Sequence, residues 1–315
     1  MNYRYILQRI LLAGGVVLGV TFVVFMIIQL IPGDPARVSL GLQATEELVA
    51  QRRENMGLNR PVMEQYVSWV ANAAQGDFGR SLLTGRPVAE LVQQRLPATL
   101  QLAGLAIVIG MVIAFPLGIA SAMRPNSPLD VFASILSQLG VAVPDFWMAI
   151  LLVLLFSSTL GWLPPSGYTP IHEDFSDWLS HMILPALTAG LISASIQTRF
   201  IRSAMLEVLS QNYIKTARAK GLRESVVVTR HALRNALITI VTVVGLQITA
   251  LLSAVVVIEI VFNLPGLGRL ALDAVLDRDY TLLQGAVFVM ALLVTFINLG
   301  VDLLYFFLDP RIEYA

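Results

Sequence analysis

Four long stretches of the chain carry no Asp, Glu, Lys or Arg: 28 residues from Leu96 to Met123, 21 from Trp178 to Thr198, 24 from Asn235 to Ile258 and 22 from Tyr280 to Val301. A hydrocarbon layer about 30 Å thick is crossed by about 20 apolar residues of helix. Backbone amides find no water inside lipid, so a crossing segment must be a helix or part of a closed barrel. These runs are too long for barrel strands, which leaves an all-α membrane protein. Composition agrees, with 56% hydrophobic and 13% charged residues in 315, against roughly 45–50% and about 25% in soluble domains. The net charge is zero, so no bulk field favours nucleic acid. The chain has no Cys, which excludes disulfides and thiolate chemistry.

Six transmembrane helices are read at Ile10–Ile31, Ala98–Ala122, Val131–Leu160, Met182–Ile196, Leu237–Phe262 and Leu282–Leu308. The first is an anchor rather than a signal peptide, because Ile31-Pro32-Gly33-Asp34-Pro35 offers no small-x-small cleavage site. The third contains Asp145, which costs about 3 kcal/mol at a helix centre, whereas each residue of the run Ile150 to Phe156 returns about 0.3–0.6 kcal/mol. Twelve Lys and Arg on one set of short loops and tails face two, Arg269 and Arg278, on the other. That bias places both termini in the cytoplasm and loops 33–97, 161–181 and 263–281 outside. The chain then divides into 1–32 (tail and first helix), 33–94 (a small helical periplasmic subdomain), 95–308 (the transmembrane domain, with a cytoplasmic loop at 199–234) and the tail 309–315. In the outer subdomain Thr45 can cap a helix through Met56, with Gly57 behind it. Pro61 can open a second helix ending near Gly76. Pro87 can open a third, with Val88, Leu91 and Val92 on one face, leading into the second span.

The loop Arg199–Arg234 is the most informative segment. Its 36 residues hold eight basic and two acidic side chains, a net charge of +6. A positive-inside loop beside anionic lipid explains the charge but not the order Tyr213-Ile214-Lys215-Thr216-Ala217-Arg218-Ala219-Lys220-Gly221-Leu222, followed by Arg230-His231-Ala232-Leu233-Arg234-Asn235-Ala236. It reads as helix, glycine, helix, with Gly221 where a left-handed residue ends the first helix and a second helix from about Glu224 entering the fifth span. Ala217 and Gly221 leave one side of the turn small enough for a partner's groove.

The run Tyr213 to Ala236 resembles the cytoplasmic signature loop of ABC-transporter importer permeases, and more narrowly the dipeptide, oligopeptide and nickel branch. The resemblance continues in Ile31-Pro32-Gly33-Asp34-Pro35, Gly76-Asp77-Phe78-Gly79-Arg80-Ser81, Arg95-Leu96-Pro97-Ala98-Thr99-Leu100 and Gly161-Trp162-Leu163-Pro164. It extends to Leu184-Pro185-Ala186-Leu187, Phe262-Asn263-Leu264-Pro265-Gly266-Leu267-Gly268-Arg269, Arg278-Asp279-Tyr280, Asp302-Leu303-Leu304-Tyr305 and Asp309-Pro310-Arg311. Departures are Lys215-Thr216-Ala217 where the general signature begins Glu-Ala-Ala, Arg234 at its late Pro, and Asp145 where the branch tends to have a small polar residue. The resemblance implies a type I ABC importer fold in a bacterial inner membrane. It also implies a heterodimer with a second, related permease, two ATPase subunits that bind ATP and Mg, and an extracytoplasmic substrate-binding protein. Lys215, Thr216, Ala217, Arg218, Ala219, Lys220, Gly221, Leu222, Arg230, His231 and Arg234 would couple to the ATPases. The chain holds no Gly-x4-Gly-Lys-Ser/Thr loop and so no such ATP site of its own; no catalytic residue, metal or cofactor is expected on it. Short peptides are the expected cargo, with nickel complexes, glutathione or opines as alternatives.

Other patterns carry less. Gly266-Leu267-Gly268-Arg269-Leu270-Ala271 fits a dinucleotide fingerprint in form only, since that motif needs a preceding strand. Pro265, Gly266, Gly268 and Arg269 are instead read as a tight outer turn facing the binding protein. Gly15 and Gly19 permit close helix packing. Glu259 and Asp302 lie near span ends, where a structural role is the plainer reading. Gln101, Gln138, Gln247, Gln284 and Asn298 either line a polar path or bond between helices. His172, Glu173, Asp174, Asp177 and His181 form an acidic outer loop in which a metal site is conceivable. An ion-coupled transporter would want acids at the membrane midplane and an inverted repeat, and an intramembrane enzyme would want a catalytic pair. Neither pattern is evident.

Overall fold

The computed structural model of the chain describes residues 3–30, 33–41 and 44–308. Ile31-Pro32, the tail 309–315 and its Asp309-Pro310-Arg311 block lie outside the described residues. The elements are helical throughout: α1 (Tyr3–Leu30), α2 (Pro35–Leu40), α3 (Glu46–Asn55), α4 (Val62–Ala73), α5 (Val88–Met123), α6 (Pro128–Ala142), α7 (Asp145–Leu152), α8 (Phe175–Leu209), α9 (Asn212–Ala219), α10 (Glu224–Val226), α11 (Leu233–Val261), α12 (Leu267–Leu276) and α13 (Tyr280–Leu308). Wider π turns extend α7 over Val153–Thr159 and join α10 to α11 over Val227–Ala232. Five helices are long and apolar enough to cross a bilayer, and six spans result when the pair α6–α7 counts as one.

That pair corrects the uninterrupted third span Val131–Leu160. The two helices are bent by 109°, with Val143 and Pro144 extended between them. Pro144 offers no N–H to the helix and bars its predecessor from helical geometry. The fourth span is also longer than Met182–Ile196: α8 has 35 residues and ends at Leu209, so Arg199 and Arg202 belong to a helix and not to a loop.

The chain forms two compact units. One comprises residues up to Thr99 together with Pro265–Phe296, so the segment 33–94 shares its packing with α12 and the first half of α13. Local signals in the sequence hold here. Thr45 Oγ1 accepts from Leu48 N and caps α3, Gly57 follows with φ +67°, and Pro61 precedes α4. Tyr66 of α4 reaches α1, donating to Leu18 O at 2.8 Å with the Phe22 and Phe25 rings 5.2 and 5.5 Å away. Val88 and Val92 meet Leu267, Leu270, Ala274, Leu282 and Ala286 in an apolar core. Asp279, 1% exposed, staples this unit by accepting from Ser81 Oγ at 2.5 Å and from the backbone N–H of Leu82 and Leu282 at 3.1 Å each.

The other unit comprises Leu100–Leu264 and the chain from Ile297. Here α5 and α8 approach closely because glycine faces bulk in both directions. A β-carbon at Gly190 would come within 2.7 Å of Ile109, and one at Gly118 within 2.8 Å of Ile201. Gly140 of α6 lies against Ser195 of α8, and Gly245 of α11 against Val301 of α13. In contrast, among the described residues nothing lies within 4 Å of the β-carbon positions at Gly15 and Gly19.

Candidate functional site

α9 is too short to persist alone, since isolated helices below about 12–15 residues are marginal in water. Its position comes from burying Ile214 and Ala217, one turn apart, among Val227, Val228, Ala232 and Ala236. Ala217 therefore faces inward, which corrects its placement on the side offered to a partner. The outward surface is Tyr213, Lys215, Thr216, Arg218, Ala219, Lys220, Gly221 and Leu222, all exposed. Gly221 follows the helix with φ +74°, the left-handed geometry its position predicts. Across that turn Arg218 grips Glu224 in two bonds of 2.6 and 3.1 Å, and the guanidinium holds the Glu224 carboxyl below the usual carboxylate range. Asn235 Nδ2 donates to Tyr213 Oη at 2.7 Å, tying α9 to the root of α11. Arg230 and Arg234 are exposed and His231 is half-buried. From Glu224 to Val261 the chain is helical without a break, so this exposed knob is continuous with α11.

A second cluster lies beside it in the same unit and was not singled out from sequence. Arg202 of α8 makes a bidentate pair with Asp130 at 2.6 and 2.8 Å. The carboxylate, 3% exposed, also accepts from Ser121 Oγ and from Asn126 N, the latter at 2.8 Å. A lone carboxylate at such depth would be costly, whereas paired with the half-buried Arg202 it ties α6 to α8. The partners are 72 positions apart, so no local pattern reveals them.

The five polar residues considered for a path fall in different settings. Gln101 accepts from Trp178 Nε1 at 2.9 Å and from Tyr168 Oη at 3.2 Å. Asn298 accepts from Thr249 Oγ1 at 2.5 Å. Gln284 is buried, with its Nε2 unpartnered. Gln138 edges a cavity with Ser134, Ser137, Thr198, Arg199 and Arg202. Gln247 faces a cavity of about 190 Å³ between α7, α8 and α11, with Asp145 and Ser193 on its wall. Glu259 is fully buried, and both it and Asp302 have polar partners.

At 265–269 the backbone differs from a glycine-dependent turn. Gly266 is extended, with φ −100° and ψ 177°, and precedes α12; the left-handed residue is Asn263, with φ +57°. Gly266 and Gly268 are buried, and Pro265 and Arg269 half-buried. Leu267 N donates to Thr99 Oγ1 at 2.8 Å, so the segment serves the core of its unit. A helix, α11, precedes it, which disposes of the dinucleotide motif. In the acidic loop Asp174 caps α8 through the N–H groups of Ser176 and Asp177, and Thr169 donates to Asp177. No group of three or more metal-binding side chains occurs among the described residues.

Comparison with known proteins covers nearly the whole chain. The family described as "Binding-protein-dependent transport system inner membrane component" matches residues 114–314, and its N-terminal counterpart matches residues 2–103. The oligopeptide transport system permease protein AppB of Bacillus subtilis is 40% identical over 313 residues, covering 98% of this chain and 99% of its own. The glutathione transport system permease protein GsiC of Salmonella paratyphi A is 41% identical, covering 99% of each. Among solved structures, the inward-facing MetNI methionine ABC transporter aligns with a TM-score of 0.58 at 18% identity, over 70% of this chain and 96% of that one. At that identity the likeness speaks for the fold.

Proposed function

We propose, from the premise that this chain belongs to the family of binding-protein-dependent transport system inner membrane components, that it lines half of a path carrying short peptides across the membrane. Membership makes it a permease component of an ABC importer, a multi-pass inner-membrane protein and not an enzyme. Such permeases work with ATPase and substrate-binding components. The assignment of roles is ours. A related permease completes the path as a heterodimer, two ATPases dock on the inner loops of the pair, one of them on the exposed knob 212–234 of this chain, and a binding protein delivers cargo from the other face. Both termini then lie in the cytoplasm, on the side of that knob.

One observation carries the docking role: the knob has its own buried root at Ile214 and Ala217, a polar outer surface, and unbroken helix into α11. A loop that merely satisfied the positive-inside bias would need none of these. Peptide cargo is supported by the names of relatives of nearly full coverage, which include oligopeptide and dipeptide permeases. The glutathione permease is equally similar, so that modified tripeptide is the second reading. The test is uptake into vesicles holding the complete complex, fed in turn with dipeptide, tripeptide, glutathione and a nickel chelate. Peptide uptake dependent on ATP and binding protein is expected. Accumulation of nickel or glutathione in its place would overturn the cargo, and ATP-independent, ion-driven uptake would overturn the mechanism.

A further inference from the structure

We infer that Asp145 is a specificity-determining residue on the translocation path, receiving the positively charged amino-terminal group of a passing substrate in the cavity between α7, α8 and α11; this rests on the peptide-permease reading above. The argument begins with the backbone. Non-helical chain at membrane depth is tolerated only where protein covers it or where it lines a water-filled space. The 109° break between α6 and α7 leaves Val143 and Pro144 extended in the middle of an apolar sequence. Asp145 is the first residue beyond that break, and its cavity is there.

The cavity's composition gives the ligand chemistry. Ala189, Ile192, Ile196, Ala250, Leu251 and Ala254 form apolar walls, and Asp145, Ser193 and Gln247 are its polar members. The carboxylate is the only formal charge on the wall, and among the described residues it has no ion-pair partner. That contrasts with Asp130, which is fully bonded by Arg202, Ser121 and Asn126. An ionisable group inside a membrane domain is expected to pair or to serve a polar route, and Asp145 has no ion pair among the described residues. Ser193 is held from behind, since Gln197 Nε2 donates to its Oγ at 2.8 Å while Gln197 Oε1 is buried without a partner. Ser193 and Gln247 thus offer further oxygens to a group with several N–H donors. An ammonium brings up to three donors and a positive charge; a carboxylate terminus would meet repulsion.

Size and strength fit passage rather than storage. About 190 Å³ equals the liquid volume of about six waters, a space on the scale of a peptide's terminal end. One carboxylate on an otherwise uncharged wall holds cargo weakly enough to release it, as conduction requires.

The test uses the complete complex in vesicles, fed with alanyl-alanine by its binding protein. Asp145→Asn keeps shape and hydrogen bonding but removes the charge. Its uptake should fall by about tenfold or more, the factor that loss of a charge-assisted hydrogen bond carries, while the ATPases still co-purify in normal ratio. Asp145→Glu should recover much of the loss. A second readout omits the binding protein, whose own selectivity would otherwise intervene. Carbodiimide modification at Asp145 should be slowed by millimolar alanyl-alanine and not by its N-acetyl derivative. Unchanged uptake in Asp145→Asn, equal protection by both peptides, or loss of ATPase association in that variant would each overturn the inference. Failure of the unaltered complex to import any peptide would instead withdraw the cargo reading beneath it.

Discussion

Gly221 combines a left-handed backbone with empty surroundings: φ is +74°, and nothing lies within 4 Å of where its β-carbon would stand. A substitution there is opposed by its own backbone and not by a neighbour. Gly221→Val should cost about 1–2 kcal/mol in that conformation and would add a branched side chain to the outward surface of the knob. Asn tolerates left-handed geometry, so Gly221→Asn should retain much of the function. Glu224→Gln removes only the exposed partner of Arg218, a class of pair contributing about 0–1 kcal/mol. Peptide-stimulated ATP hydrolysis and uptake, at matched membrane levels, should therefore fall in the order Glu224→Gln, Gly221→Asn, Gly221→Val. Full coupling in Gly221→Val would remove Gly221 from the transmission element. The sequence revealed this residue because a glycine after a run of helix formers has a local meaning. It did not reveal that Ala217 points inward, because facing depends on what α9 packs against.

Elements show the same division between local and distant causes. Helix starts at Thr45, Pro61 and Pro87 were legible, each being set by a cap or a proline within a few residues. The break between α6 and α7 was masked: apolar count measures the length of a segment and not its direction, and the run after Asp145 compensated for the acid. Pro144 was the available signal. The Asp130–Arg202 lock and the glycine contacts of α5 with α8 were illegible, since both join residues more than 70 positions apart. Those contacts allow a contrast. Gly190→Leu must displace Ile109, which stands 2.7 Å from the new β-carbon, and overpacking of this kind costs about 1–3 kcal/mol. Gly19→Leu meets nothing within 4 Å. In detergent, the isolated chain carrying Gly190→Leu should unfold at a lower temperature than the unaltered chain, and Gly19→Leu should not. Equal melting of both variants would show that α5 and α8 do not pack at this distance.

At the scale of the whole molecule, the sequence alone sufficed for helical class and family, because the bilayer restricts a crossing chain to very few solutions and because the motif blocks run nearly from end to end. The break that opens the Asp145 cavity, and the packing of 33–94 with α12 and α13, had to come from the structure. On the proposed reading, the knob rooted at Ile214 and Ala217 and continuous with α11 is the transmitting element. The absence of Cys allows one thiol to be placed at will. A Cys replacing exposed Lys220, treated with a short thiol-to-amine cross-linker in vesicles holding the complete importer, should form a covalent adduct with an ATPase subunit. A Cys replacing Ser166 in loop 161–181 should not. An adduct from Ser166 and none from Lys220, at equal insertion, would place the ATPases on the opposite face and contradict the account.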